Sequence, residues 1–277
     1  MISTGVLAKR EVLRLSGRDA MSFLNGQVSQ NVASILEGTG AASFLLQPDG
    51  KVVDLIGLHA HGEAILIDVD LDAVEHVEQR LRRFMFRVDV AIERSQMLVC
   101  WWPQGTAPDG CLSSRPFGRS GVLTIHEVLP DGVEWLSDER ARAERIAQEI
   151  PAFGSEITDR TIPAALGTGL VASAVSFTKG CYTGQELVAR LDARGSQVPF
   201  HLVALSAKHE LFVGDALLLG EQGPKGEVTS IALSEDGETF IGLGFAHRSQ
   251  VDAVTLHSPR GEDVSVRVLD GSGVFSR

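Results

Sequence analysis

FTKGCYTGQELVARL, residues 177–191, sets a lysine and a thiol side by side, flanked by glycines, directly ahead of a run with helical apolar spacing. Leu187, Val188 and Leu191 mark the apolar side of that helix. Thr183-Gly-Gln-Glu186 reads as a capping box at its start, with the Thr hydroxyl accepting from an amide three residues on and Glu186 reaching back. Cys181 and Lys179 then fall just before the helix N-terminus, where unpaired amides and the helix dipole create positive potential. A thiol in such a place, next to an ammonium, is biased towards thiolate, and the same spot suits a carboxylate or phosphate of a ligand. Gly180 and Gly184 permit a tight turn and close approach of a ligand. The competing reading makes Cys181 a small buried hydrophobe and Lys179 a solvated charge. The glycines, the cap and the cation favour the reactive thiol. No histidine neighbours it in sequence to serve as base; the nearest, His201, follows Pro199.

Downstream of Pro199 the pattern turns to short apolar runs at 202–205, 216–219, 227–233, 240–245 and 264–268, separated by turns such as Glu-Asp-Gly at 235–237. That predicts a small all-β unit, barrel or sandwich. Upstream, 11–15, 41–46, 52–58, 64–69 and 88–92 read as strands, and Pro48-Asp-Gly50 as the turn of a hairpin. Two further capping boxes, Ser16-Gly-Arg-Asp19 and Asp72-Ala-Val-Glu75, open helices at 20–24 and from 74 through Phe84. Residues 103–116 read as a loop, 121–125 as a strand and 138–149 as a helix. The expected organisation is a mixed α/β unit over 1–95, a second over 96–198 that ends in the thiol-bearing motif, and a small β-barrel over 199–277.

The 277 residues hold 36 acidic and 25 basic side chains, for a formal charge of -11, which argues against a nucleic-acid partner while leaving room for a local basic pocket. Three cysteines, Cys100, Cys111 and Cys181, form no disulfide framework and point to a reducing cytoplasm. No ligand set for a structural metal stands out; only His59 and His61 lie two apart. No signal peptide is visible, and no apolar run reaches the ~20 residues of a membrane span, so no membrane partner is expected.

FTKGCYTGQELVAR resembles the Lys-Gly-Cys-Tyr-x-Gly-Gln-Glu signature of the YgfZ family, folate-binding relatives of the glycine-cleavage T-protein, an aminomethyltransferase. The likeness extends to LSGRDAMSFLNGQVSQNV, LLQPDGKVV, LRRFMFRVDV, RIAQEIPAFGSEITDRTIPAAL and KGEVTSIALSEDGETFIGLGFAH, most of the chain. It implies an α+β fold of T-protein type: a ring of three subdomains, two mixed α/β and one C-terminal β-barrel, around a central channel that receives tetrahydrofolate. It further implies a role in iron–sulfur cluster assembly or repair, with cluster-requiring enzymes or cluster-assembly proteins as partners.

Carried over by residue, the resemblance makes Cys181 the reactive group. It makes Lys179, Tyr182, Gln185, Arg145 and Asp54 folate-binding, with Gly180, Gly184 and Glu186 completing the motif. Arg145 stands at the arginine of the family's Arg-Ile-x-x-Gly-Ile-Pro pattern and could take a folate carboxylate bidentately; the plain alternative pairs it with Glu144 or Glu149. Glu149 occupies that pattern's glycine. Arg82, Arg83 and Arg87 are candidates for a basic rim facing polyglutamate tails. Asp54 in VVDLIG corresponds to one member of the T-protein's Asp pair, and Val53 replaces the other, which weakens the case for the second function considered, folate-dependent aminomethyl or one-carbon transfer. The tryptophans at 101, 102 and 135 are read as packing. A ligand-free structural domain would leave the Lys–Cys pair without a purpose.

Overall fold

The computed structural model describes residues 3–104, 107, 112–114, 121–193, 195, 197–219, 226–250 and 255–269; Cys111 lies outside them. Sixteen strands are described among these residues, in three sheets. The first strand, β1 (Ser3–Leu7), is followed by β2 (Arg10–Ser16), helix α1 (Ala20–Asn25), β3 (Gly40–Leu46), β4 (Val52–His61), β5 (Ala64–Asp70), α2 (Val74–Arg82) and β6 (Ala91–Ser95). Next come β7 (Leu98–Trp102), β8 (Leu112–Ser114), β9 (Val122–His126), β10 (Val133–Trp135) and the helices α3 (Asp138–Ala147), α4 (Thr168–Ala174) and α5 (Gln185–Asp192). The chain finishes with β11 (Phe200–Ala207), β12 (Ala216–Leu217), β13 (Gly226–Leu233), β14 (Phe240–His247), β15 (Thr255–His257) and β16 (Asp263–Val268).

Strands β2 to β6 form an antiparallel sheet in the order β3-β4-β5-β2-β6. Its middle strands are buried along almost their full length because both faces are covered. Leu13, Leu15, Ile56, Leu58 and Ile67 pack under Leu24 of α1 and Val77 and Leu81 of α2. Phe44, Leu46 and Leu55 enter a second core. The second sheet, β10-β1-β7-β9-β8, has β7 at its centre and beside it the chain's first strand, which pairs parallel with β10 at Ser3↔Val133 and antiparallel with β7. Trp102 is fully buried there, donating from Nε1 to Thr124 Oγ1 at 2.7 Å, so the tryptophans at 101 and 102 do pack in the interior.

The third sheet runs β12-β13-β14-β11-β16-β15, and a bridge between Leu218 and His257 brings its edges together into a nearly closed barrel. The T-protein type of fold expected from the resemblance, mixed α/β units followed by a barrel, is thus present. One shared core welds the three sheets. Val6 and Trp101 come from the second sheet, Phe44 and Leu55 from the first, Ile146 and Leu170 from the helices, and Leu202, Ile241 and Leu243 from the barrel. Each such side chain contributes about 2 kcal/mol on burial, whereas a partly exposed ion pair adds on the order of 1 or less, so apolar contact supplies the adhesion. Polar pairs along the seam fix its geometry instead.

Several sequence expectations shift. The strand expected at 88–92 lies at 91–95, because a tight turn with Arg87 at φ 54° carries the chain past α2 first. β8 falls inside the segment read as a loop, and β1, β7, β10 and β15 went unread. None of the three capping boxes forms: α1, α2 and α5 have no side-chain cap. Asp19 accepts from the Asp89 amide, Asp70 turns the chain into α2 by accepting from Asp72, and α5 is entered through Gly184. Only α3 is side-chain capped, by Ser137 accepting from the Arg140 amide. No helix among the described residues is long and apolar enough to cross a membrane.

Glu149 explains its own departure from the glycine of the resemblance pattern. It follows α3 in the left-handed region, φ 58°, where glycine is the usual residue, yet its side chain is buried and ion-paired with Arg267 of β16. The backbone strain is thereby coupled to a pair across the barrel seam. Glu149→Ala loses the pair and keeps the strain, whereas Glu149→Gly loses the pair and relaxes the backbone. Chemical unfolding should find the alanine variant less stable than the glycine variant by about 1 kcal/mol.

Candidate functional site

Lys179 determines how the signature sits. Its Nζ donates to the backbone carbonyls of Asn25 at 2.6 Å, Val28 at 2.9 Å and Gln30 at 2.7 Å. An ammonium has three N–H donors, and all three are spent on the loop that follows α1. Burial pushes its pKa down to about 8, and the three carbonyl dipoles act in the other direction. Further bonds run along the same seam: Ser176 N to Ser29 O, Thr183 N to Gly26 O, and Ser29 Oγ to Ala174 O. The 25–30 loop is thus gripped from one side by residues 174–183.

The other side of the signature rests on the β3–β4 hairpin. Gly184 has φ 84°, and a Cβ there would stand 2.6 Å from Gln47 O and 2.8 Å from Leu46 Cβ. Gly50, at the hairpin turn, would bring a Cβ to 2.6 Å from Leu187 Cβ. Two glycines therefore let the start of α5 touch the hairpin backbone. The Thr183 hydroxyl, expected to cap the helix, donates instead to Gln27 Oε1 at 3.4 Å, and Gln185 Oε1 accepts from the Tyr182 amide at 3.1 Å. Tyr182 is half-buried against the shared core, its ring centroid 5.3 Å from Lys179 Nζ, and burial pushes its hydroxyl up to about 12. Glu186 points outward and pairs with Arg190.

Among these tethered residues Cys181 is the exception. It is exposed, and Gly180 beside it would direct a Cβ into open space, with nothing within 4 Å. Lys179, Tyr182, Thr183, Gly184 and Gln185 are bound into the protein while Cys181 stands at the surface, with room for a second molecule to approach. Cys100, by contrast, is buried in β7.

Asp54 lies apart from the thiol, sealed in β4 at 1% exposure, with Oδ2 accepting from the Asp70 amide at 3.1 Å. Burial pushes its carboxyl up to about 7 against the pull of nearby Arg10. The Arg10 guanidinium is shared with Asp68, which also lies 2.6 Å from His59 Nε2. Burial alone would raise Asp68, but Arg10 and His59 outweigh it and hold that carboxyl at about 2. His59 is thus paired inside the sheet. Arg145 takes neither partner foreseen for it. It donates to Ile150 O at 2.6 Å, Glu156 Oε2 at 3.2 Å and Ser230 Oγ at 2.8 Å. The fully buried Glu156 also accepts from the hydroxyls of Thr229 and Ser230, so the pair ties α3 to the barrel. Of the arginines read as a basic rim, Arg82 is paired with Glu78 and donates to Ile92 O, while Arg83 and Arg87 are exposed.

One participant escaped the sequence reading. Arg80 of α2 is 4% exposed, donating to Leu46 O and to the same Gln27 Oε1 that Thr183 reaches, both at 3.0 Å, with its guanidinium 4.1 Å from the Phe84 ring centroid. Its clue was its place on the apolar side of α2, in register with Val77 and Leu81.

With this geometry in hand, the chain can be set beside known proteins. No family model matches it. It is 24% identical over 279 residues to the tRNA-modifying protein YgfZ of Hamiltonella defensa, covering 88% of this chain and 83% of that one. It is 25% identical over 210 residues to an iron–sulfur cluster assembly factor IBA57 homolog, mitochondrial, of Pyricularia oryzae, covering 68% of this chain and 54% of the other. Among solved structures it is similar to the glycine cleavage system aminomethyltransferase T of Bartonella henselae, with a TM-score of 0.74 at 15% identity over 97% of this chain and 86% of that one. Fold and site together define a protein of the aminomethyltransferase fold with an outward-facing signature cysteine. The resemblance to the YgfZ family, first read from residues 179–186, holds over most of the chain.

Three variants test this description. Lys179→Met leaves three carbonyls without their donor and should cost roughly 2–4 kcal/mol, with faster amide exchange confined first to residues 25–30. Gly184→Ala should destabilise by a comparable amount, because the left-handed backbone and the Gln47 contact both resist a Cβ. For Asp54 the sign follows from its raised pKa. The folded state holds a proton that the unfolded chain gives up near pH 4, so this stabilisation is full below about pH 4 and is lost as pH rises through about 7. Asp54→Asn should flatten the decline in unfolding free energy between pH 4 and 7.

Proposed function

We propose that this chain is a tetrahydrofolate-binding accessory factor for the assembly or repair of iron–sulfur clusters, with Cys181 as its reactive group. The observation that carries the reading is the contrast within the signature: Lys179, Thr183, Gly184 and Gln185 are all engaged in fixing the loop, and the one nucleophile is left exposed. A motif that served packing alone would bury its thiol. The name of the cluster-assembly relative supports the cluster role.

In this reading three units, 1–95, 96–198 and 199–277, surround the channel that receives folate, with β1 lent to the second sheet. Lys179, Arg145 and Asp54 are held by the protein's own groups. The residues with capacity left for folate are therefore Tyr182, through its ring, and Gln185, whose amide N–H groups remain available. Tetrahydrofolate, when bound, supplies a reduced pterin whose ring nitrogens accept one-carbon units. Cys181, after giving its proton to solvent, donates a lone pair to an iron already held by a partner's thiolates. The described residues contain no group of three or more metal-ligating side chains, which suits a cluster bridged between molecules rather than owned by this one.

The alternative is folate-dependent aminomethyl or one-carbon transfer. Asp54, with a pKa near 7, has the basicity of a general base. Its burial and its bond to the Asp70 amide, together with Val53 in place of a second carboxylate, weigh against this reading. Cys181→Ala, expressed in a strain lacking the native protein, should fail to restore cluster-dependent enzyme activity while keeping wild-type thermal stability. Full rescue would overturn the cluster role, and loss of methylene-tetrahydrofolate formation in Asp54→Asn would establish the alternative.

A further inference from the structure

Immediately after α2 the chain makes a tight turn, with Phe84 N bonded to Leu81 O and Phe86 N to Phe84 O. Met85 turns inward to the core of the first sheet, which leaves Phe84 and Phe86 outside, 36% and 73% exposed. Arg83 and Arg87 flank them, both exposed. Arg87 lies 5.1 Å from the Phe86 ring centroid and has a left-handed backbone, φ 54°, rare for a side chain of its size.

The chain has 36 acidic residues against 25 basic ones. Around this turn Arg14 pairs with Glu93, Arg82 with Glu78, and Arg94 with Glu75 and Glu78. The side chains of Arg83 and Arg87, like those of the exposed Arg142, Arg160 and Arg248, form no ion pair or hydrogen bond among the described residues. What sets Arg83 and Arg87 apart is their place beside two exposed aromatic rings, which makes a local basic and apolar patch on a protein of net charge -11. The left-handed backbone at Arg87 turns this group outward at the end of α2.

We propose that Arg83, Phe84, Phe86 and Arg87 form a docking face for an acidic, apolar-bearing segment of a partner protein. Arginine and aromatic residues are the side chains most enriched at the energetic centres of protein interfaces, and carboxylates are the complement of two free guanidiniums. Nucleic acid fits less well, because two cations on a strongly acidic body neutralise too little of a phosphate backbone. An anionic membrane fits less well for the same reason. The face is also joined to the thiol by contact: Phe84 stacks on Arg80, Arg80 bonds Gln27, and Gln27 accepts from Thr183, two residues from Cys181. The inference uses the functional reading above only in taking the docked protein to be one that Cys181 serves.

The test places a photo-crosslinker at Phe86→p-benzoylphenylalanine in cells and reads the adducts, alongside rescue of cluster-dependent activity by the double variant Arg83→Glu/Arg87→Glu. The expected result is a discrete protein adduct, with an acidic segment at the crosslinked site, that is lost at least tenfold in the double variant and persists in Cys181→Ala. Rescue by the double variant should fall at least tenfold while its melting temperature and the alkylation rate of Cys181 by iodoacetamide stay at wild-type values. An adduct to RNA or lipid, no protein adduct, or an adduct insensitive to charge reversal overturns the docking face. If the adduct behaves as expected and Cys181→Ala still rescues fully, the face stands and the thiol's role falls.

Discussion

Everything at the site depends on one half-buried ammonium. Lys179 is the hub through which a loop from the beginning of the chain and a motif some 150 positions later become a single surface. Three carbonyls converging on one point would repel one another through their negative ends, and a cation at the centre turns that repulsion into cohesion. Arginine cannot take the place, since its planar fork does not match three converging acceptors. Once the loop is seated, Gly184 and Gly50 let the helix entry lie flat on the hairpin, and the only freedom left to the motif is which side chain faces outward.

This arrangement changes what the lysine–cysteine juxtaposition means. Read in one dimension, the ammonium is an electrostatic helper for the thiol. In the structure its donors are turned to the loop carbonyls, and its relation to Cys181 is one of placement. The same holds for Thr183, whose hydroxyl reaches Gln27 and leaves the helix uncapped. A local motif can be read for the chemistry it would perform alone, but a residue whose partners lie 150 positions away gives no local sign of them.

Legibility in the sequence follows the same line. The β3–β4 hairpin could be read because two apolar runs flank the turn Pro48-Asp-Gly50, and the barrel strands because each lies between turn signals. β1 could not, since its partners are more than 90 residues away and its own five residues carry no turn at either end that marks it as interior to its sheet. Arg145 was found by resemblance and Arg80 not at all. Arg80 is buried and Arg145 partly so, and their acceptors are mostly backbone carbonyls or residues from distant elements; a carbonyl acceptor leaves no trace in residue identity. Exposure of Cys181 was open until the surrounding loops were placed; Glu149, by contrast, announced itself as the wrong residue at a glycine position and proved to be strained there.

The position of β1 has a consequence for how this chain reaches its native form. During synthesis, the first strand leaves the ribosome long before β7 and β10 exist, and it must wait with two unsatisfied edges while more than a hundred further residues emerge. The antiparallel sheet of β2 to β6 can close in the meantime. Vectorial folding therefore cannot proceed unit by unit here, and the stretch of nascent chain most exposed to mispairing or chaperone capture is the one that will finally stand between β10 and β7 in the second sheet.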